Sequence, residues 1–144
     1  MTILVGYNAS KESEGALREA AIAARARQVP LHLLWYHVHQ PGDSMQQVER
    51  ELHEGEELQA QLEAIAEQLR ESGVEVETDL RHGLKAQVAD TLLEIADDIE
   101  AQLIVLGWRP RSRVTEAVLG GIAREVLRKT HRPVLSVPID PEHR

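Results

Sequence analysis

Five short apolar segments alternate with four amphipathic stretches along this chain of 144 residues. The apolar segments, predicted to be strands, are residues 2–7, 30–38, 74–80, 101–107 and 133–137. The amphipathic stretches, predicted to be helices, are residues 10–27, 44–71, 84–99 and 120–130. Strands separated by helices are mostly parallel, and right-handed crossovers place helices on both faces of the sheet. The alternation therefore predicts one α/β domain over residues 1–144, a three-layer doubly wound fold with a five-stranded parallel sheet.

The charge pattern of the third strand helps to choose between two common strand orders, 2-1-3-4-5 and 3-2-1-4-5. Residues 74–80 alternate apolar side chains with Glu75, Glu77 and Asp79. Carboxylates along one face are typical of an edge strand, where they discourage pairing with another chain. The second strand is mostly apolar, which favours the order 3-2-1-4-5. In that order the winding reverses between the first and fourth strands, so a ligand crevice is expected there.

The second helical stretch is long for a domain of this size. The residues from Met45 to Leu69 keep a helical spacing of apolar side chains. One continuous helix over residues 44–71 would be about 42 Å long. Gly55 leaves open whether the stretch is one helix or two.

Composition argues against several classes of partner. Sixteen Lys and Arg against 24 Asp and Glu give a net charge of −8, which repels phosphate backbones and anionic lipid. Neither nucleic acid nor a membrane is therefore expected as a partner. Every apolar run is far shorter than the about 20 residues needed to span a bilayer. The first strand is not preceded by the basic stretch and apolar stretch of a signal peptide. The expected location is therefore the cytoplasm, and the lack of cysteine excludes a disulfide framework.

Catalytic and metal-binding motifs are not found in the sequence. It has no G-x-G-x-x-G after the first strand, no phosphate loop ending in Lys and Ser or Thr, and no H-E-x-x-H pair. His37 and His39 are two residues apart and share one face of an extended segment, but the sequence shows no third ligand beside them. We therefore expect no catalytic residue, no metal site and no enzymatic activity.

Residues 106–137 contain the strongest indication of a binding site. A strand ends at Gly107, a segment with Arg109 and two further arginines follows, and a helix opens at Gly120 and Gly121. Glycines at such a junction let backbone N–H groups approach an anion, and the helix N-terminus adds partial positive charge. This arrangement is typical of a phosphate pocket. The alternative is that the arginines are solvated or pair with acidic groups of a partner subunit.

Three segments and one spaced motif resemble the universal stress protein family over essentially the whole chain. The segments are ILVGYNAS, LLWYHVHQP and HRPVLSVP. The family's nucleotide motif G-x2-G-x9-G-[ST] corresponds in spacing to Gly107, Pro110, Gly120 and Gly121. The resemblance implies that these positions surround the phosphates of an adenine nucleotide. It also implies that Val38 lines the adenine site and that Asn8 stands where nucleotide-binding members usually have Asp.

Three departures from the family pattern lower the expected affinity for ATP or AMP. Asn8 loses a charge, Pro110 has no N–H to donate, and Gly121 has no hydroxyl. Each lost hydrogen bond to a charged group costs about 1.5–3 kcal/mol, and Arg109 offsets part of the loss by charge. We expect a sensor or regulatory protein that binds a small anionic ligand, an adenine nucleotide held weakly and without a required metal.

The resemblance also implies a homodimer through the last strand, from Pro133 to Val137. This strand is apolar and ends the sheet without the carboxylates of the opposite edge. The alternative function is a dimeric interaction or scaffold protein of the same family that binds no nucleotide.

Overall fold

The computed structural model describes residues 1–39, 45–109 and 121–139. Its strands are β1 (Thr2–Tyr7), β2 (Leu31–Val38), β3 (Val76–Gly83), β4 (Ala101–Trp108) and β5 (Val134–Pro138). Its helices are α1 (Lys11–Arg27), α2 (Met45–Glu71), α3 (Val88–Asp98) and α4 (Gly121–Lys129), with a short 3-10 turn (Lys85–Gln87) before α3. The alternation of strands and helices predicted from the sequence is confirmed.

All five strands pair in parallel, in the order β3-β2-β1-β4-β5. The predicted doubly wound fold and strand order are therefore confirmed, with the charged strand β3 at one edge and β5 at the other. The central strand β1 pairs with β2 on one side and with β4 on the other. The direction of winding reverses between β1 and β4.

Two aliphatic cores cover the two faces of the sheet. Successive side chains of a strand point to opposite faces, so Ile3 and Val5 join one core while Leu4 joins the other, all fully buried. The first core packs α1 and α2 on the sheet, and the second packs α3 and α4. Helix α1 approaches closely because its buried positions are mostly alanines, among them Ala16, Ala20 and Ala24.

Several boundaries differ from those predicted. Helix α2 runs unbroken through Gly55 and ends before Gly73, whose φ of 93° lies in the left-handed region that favours glycine. Strand β3 is shifted from the predicted 74–80 to Val76–Gly83, because it follows β2 in register to its end. The predicted third helix, 84–99, begins as the 3-10 turn and is α-helical only from Val88.

The polar face of β3 holds a half-buried charge cluster that the sequence pattern did not predict. His32 on β2 is only 9% exposed, and its Nε2 lies 2.9 Å from Oδ2 of Asp79. Arg81 donates from Nε to Oδ1 of the same carboxylate at 2.7 Å. Burial by itself raises the pKa of Asp79, but the hydrogen bonds with Arg81 and His32 outweigh it and hold this pKa below its ordinary value.

Replacing Asp79 should therefore destabilise the chain in a pH-dependent way. Because folding lowers the pKa of Asp79, its stabilising contribution is present above the ordinary carboxyl pKa and is lost as the pH falls through the folded pKa. Near neutral pH, Asp79→Asn should lower the free energy of unfolding by about 1–3 kcal/mol. Urea unfolding at a series of pH values measures this difference, which should shrink in acid.

The exposed Glu75 just before β3 provides the matched control. Glu75→Gln should change the free energy of unfolding by less than about 0.5 kcal/mol. A deficit of Asp79→Asn that stays the same at every pH would contradict the assigned role of the carboxylate.

Candidate functional site

A cavity of about 770 Å³ opens at the carboxyl ends of β1 and β4. Its volume lies within the range of small-molecule pockets, about 300–1,000 Å³. The walls come from the ends of β1, β2 and β4, the first turn of α1, and the start of α3 and α4. The strand order predicts a crevice at this place, because the connections that leave β1 and β4 run in opposite directions along the sheet.

Five of the six site residues predicted from the sequence line this one cavity: Asn8, Val38, Gly107, Arg109 and Gly121. Asn8 follows β1, and Val38 is the last residue of β2. Gly107 is the last but one residue of β4, and Arg109 follows that strand. Gly121 is the first residue of α4. The sixth, Gly120, and the neighbouring motif position Pro110 lie outside the described residues. Positions from four elements are thus brought to one place.

The turn after β1 uses Asn8 to build its own backbone. Oδ1 of Asn8 accepts from the backbone N–H of Ser10 at 3.1 Å, while the N–H of Asn8 donates to Oγ of Ser13 at 3.3 Å. Ser10 caps α1 by accepting from the N–H of Ser13, and Ala9, between Asn8 and Ser10, has a φ of 65°. The single side-chain oxygen of Asn8 therefore already accepts a hydrogen bond within the turn. The side-chain NH2 of Asn8 is the group that can donate to a ligand.

Gly107 has a steric role that the motif alone did not reveal. The first turn of α1 lies so close to the end of β4 that a Cβ on Gly107 would collide with the backbone carbonyl of Glu12. Only glycine fits there without a shift of α1 or β4. The resemblance assigns Gly107 to a phosphate loop, whereas the packing requires it even without a ligand.

Glu12 is the cavity residue that sequence reasoning missed. Glu12 lines the cavity, and its Oε2 lies 3.5 Å from Nε of Arg109. Within the described part of the chain, this buried oxygen has no hydrogen-bond partner. In the sequence, Glu12 falls within the predicted helix 10–27, and nothing in its spacing links it to residue 109. The contact places a negative charge beside the arginine expected to attract a phosphate.

The remaining wall of the cavity is mainly apolar and aromatic. Its apolar and aromatic residues are Leu34, Tyr36, Val88, Ala89, Leu92, Leu106, Trp108, Ile122 and Ala123, and the charged residues Lys85 and Glu125 also line the cavity. The hydroxyl of Tyr36 donates to the backbone carbonyl of Leu84 at 3.1 Å, which fixes that ring at the cavity wall.

Tyr7 also lines the cavity and contacts Trp35 edge to face, with ring centroids 5.3 Å apart. Burial, and secondarily the charge of Glu14, raise the pKa of Tyr7. Its phenol therefore keeps its proton at neutral pH.

Within residues 1–39, 45–109 and 121–139, no three His, Asp or Glu side chains are already arranged as metal ligands. Across the same ranges, no helix has the length and apolar character needed to cross a membrane.

The family model described as "Universal stress protein family" matches residues 1–138. The chain belongs to the universal stress protein family. Among curated relatives, universal stress protein Rv2319c of Mycobacterium tuberculosis is 30% identical over 141 residues, which cover 96% of this chain and 48% of that protein. The chain thus spans about half the length of this relative.

Solved universal stress proteins share the fold. One from Archaeoglobus fulgidus superposes with a TM-score of 0.72 at 27% identity, covering 95% of this chain and 98% of the other. Another structure of the universal stress protein from this organism, in complex with dAMP, has a TM-score of 0.66 at 25% identity and covers 95% and 97% of the two chains. The family suggested by the sequence is confirmed.

The steric role of Gly107 in this universal stress protein can be tested by adding a single methyl group. Gly107→Ala should lower the free energy of unfolding by about 1–3 kcal/mol, because the new Cβ meets backbone that cannot move aside. Thermal and urea unfolding of the ligand-free chain measure it.

Gly15 in α1 is the matched control. A Cβ there would lie 3.5 Å from Cγ1 of Val137, an ordinary contact. Gly15→Ala should be neutral or stabilise α1 by about 0.5–1 kcal/mol. Equal stability of Gly107→Ala and the unchanged chain would show that α1 and β4 are less tightly packed than described.

Proposed function

We propose that residues 1–144 act as a single universal stress protein domain that binds an adenine nucleotide weakly and does not turn it over. The observation that supports the proposal most is that Asn8, Val38, Gly107, Arg109 and Gly121 line one cavity of suitable volume. The dAMP complex of the Archaeoglobus fulgidus protein adds support from a relative with 25% identity. We place this sensor or regulatory protein in the cytoplasm, with neither nucleic acid nor a membrane as partner.

The cavity has two chemically different ends that suit the two ends of a nucleotide. The apolar wall, with Val38 at its rim, offers a surface for the base. The other end contains Arg109 and the beginning of α4 at Gly121, where backbone N–H groups and the helix dipole attract an anion. A phosphate is therefore expected near Arg109 and the base near Val38.

Glu12 is the main reason, among the described residues, to expect weak binding. Its carboxylate neutralises part of the charge of Arg109 and repels a phosphate that enters the same end of the cavity. Repulsion grows with the charge of the ligand, so a monophosphate such as AMP is disfavoured less than ATP. Pro110, outside the described residues, removes a further N–H donor.

The proposal includes no turnover, although Glu12 is a carboxylate at the phosphate end. A general base must be within reach of an attacking water and free to take its proton. Oε2 of Glu12 instead lies 3.5 Å from Nε of Arg109 and is engaged in that ion pair. We therefore expect no phosphate release from ATP, and no metal requirement for binding.

Removing the charge of Glu12 should strengthen nucleotide binding. Glu12→Gln should raise the affinity for ATP by about ten-fold or more, and the affinity for AMP by less, because ATP carries more negative charge. Arg109→Ala should lower the affinity for both, more at low salt than at high salt. Titration calorimetry measures the constants, and the fluorescence of Trp108 in the cavity wall gives a second signal.

Glu14→Gln is the matched control for Glu12→Gln. Glu14 lies in the same first turn of α1, but its carboxylate is 3.7 Å from Nζ of Lys11 instead of at the cavity. The substitution Glu14→Gln should leave the affinity for both nucleotides unchanged. If neither ATP nor AMP binds the unchanged chain or Glu12→Gln, the alternative of an interaction protein without nucleotide is favoured.

We also propose that the chain forms a homodimer through its last strand, the segment from Pro133 to Val137. Strand β5 pairs with β4 alone, so no described strand occupies its other edge. Leu135 on this strand is 38% exposed. A two-fold axis that pairs two β5 strands would bury Leu135 and join the two sheets.

A charge on β5 should shift the dimer toward monomer. Leu135→Lys should lower the mass measured by light scattering from twice the chain mass of 16.1 kDa toward the chain mass itself. Leu127→Lys, on α4 and with a similar exposure of 40%, should leave the mass unchanged. A monomeric unchanged chain at micromolar concentration would rule out the β5 interface.

A further inference from the structure

Three histidines from two neighbouring strands meet at the carboxyl ends of β2 and β3, outside the nucleotide cavity. His37 and His82 are direct partners in the strand register. His39 follows two residues after His37, and its N–H donates to the carbonyl of Gly83 at 2.8 Å. The ring centroids lie 5.5 Å apart for His37 and His82, 5.8 Å for His37 and His39, and 5.4 Å for His39 and His82. The three imidazoles form a nearly equilateral triangle.

The size of this triangle suits a metal ion at its centre. A Zn–N bond of about 2.0–2.1 Å places the ring centre about 3 Å from the ion, so two rings at a tetrahedral angle lie about 5 Å apart. The observed separations exceed this value by less than 1 Å. The ring planes are inclined at 16°, 75° and 89°, and the nitrogens do not yet converge, so binding requires rotation of the imidazoles.

Helix α2 adds a negative charge to the cluster. Oε2 of Glu54 lies 3.9 Å from Nε2 of His37. The next residue, Gly55, has no side chain, and α2 lies close to His82 at this point. A Cβ added to Gly55 would lie 3.6 Å from Cε1 of His82, an ordinary contact distance. A carboxylate next to a metal-binding imidazole orients the ring and increases its basicity. The neighbourhood therefore favours a cation.

We propose that His37, His39 and His82 bind one divalent transition metal ion that prefers imidazole ligands, with Glu54 as the charge partner of His37. Such ions include Zn²⁺, Ni²⁺ and Cu²⁺. The site is independent of the proposed nucleotide cavity because side chains alternate along β2. Tyr36 and Val38 line the cavity, whereas His37 and His39 belong to the opposite face.

The test uses the full chain without an affinity tag, stripped of metal and titrated with Zn²⁺ near neutral pH. Calorimetry should show one ion per chain. His82→Asn, which removes one ligand from an exposed position, should weaken binding by about ten-fold or more. Zn²⁺ should also raise the thermal unfolding temperature of the unchanged chain and raise that of His82→Asn much less.

His53→Asn is the matched control. His53 lies on the same helix as Glu54, with a side chain that is 72% exposed and 3.3 Å from Glu57, and should not contribute a ligand. His39→Asn provides a second variant, so that the conclusion does not depend on one substitution. Equal affinity for Zn²⁺ in the unchanged chain and both site variants overturns the proposal, as does an equal loss in His53→Asn. Nucleotide titrations of His82→Asn should match those of the unchanged chain.

Discussion

The close contact between the first turn of α1 and the end of β4 determines the geometry of the candidate site. Because Gly107 has no side chain, the backbone of Glu12 can lie directly against it. That contact brings the start of α1, with its capping serines, to the edge of the cavity. It also brings the Glu12 carboxylate within 3.5 Å of Arg109, although the two residues are almost a hundred positions apart in the chain. A single glycine thus couples the packing of the fold to the charge of the cavity.

The fold was predictable because each of its determinants is local. Alternating apolar and amphipathic segments identify the parallel α/β architecture, and the carboxylates of residues 74–80 identify the edge strand. The same pattern did not predict the contacts of Asp79, whose carboxylate interacts with His32 and Arg81. Period-two patterning assigns a residue to a face, but it does not identify the neighbour on the adjacent strand.

The candidate site was predictable where residues lie at strand ends or at the start of a helix. Asn8, Gly107 and Arg109 could be placed together because the carboxyl ends of adjacent parallel strands share one edge. Glu12 could not, because its position depends on how closely α1 packs, which is a tertiary property. His82 was missed for a related reason. The predicted end of β3 at residue 80 excluded it from the strand, whereas pairing with β2 extends β3 to Gly83 and aligns His82 with His37.

Strand alternation also explains how one edge of the sheet can hold the two proposed sites, which differ in chemistry. Along the end of β2, Tyr36 and Val38 line the cavity while His37 and His39 contact each other and His82 on the opposite face. A shift of one residue in the pairing of β2 would exchange these faces, placing imidazoles in the cavity. Such a shift would also move His32 away from Asp79 and into the apolar core packed by α1 and α2, which opposes it. The aliphatic core thus keeps the two sites apart by fixing the register of β2.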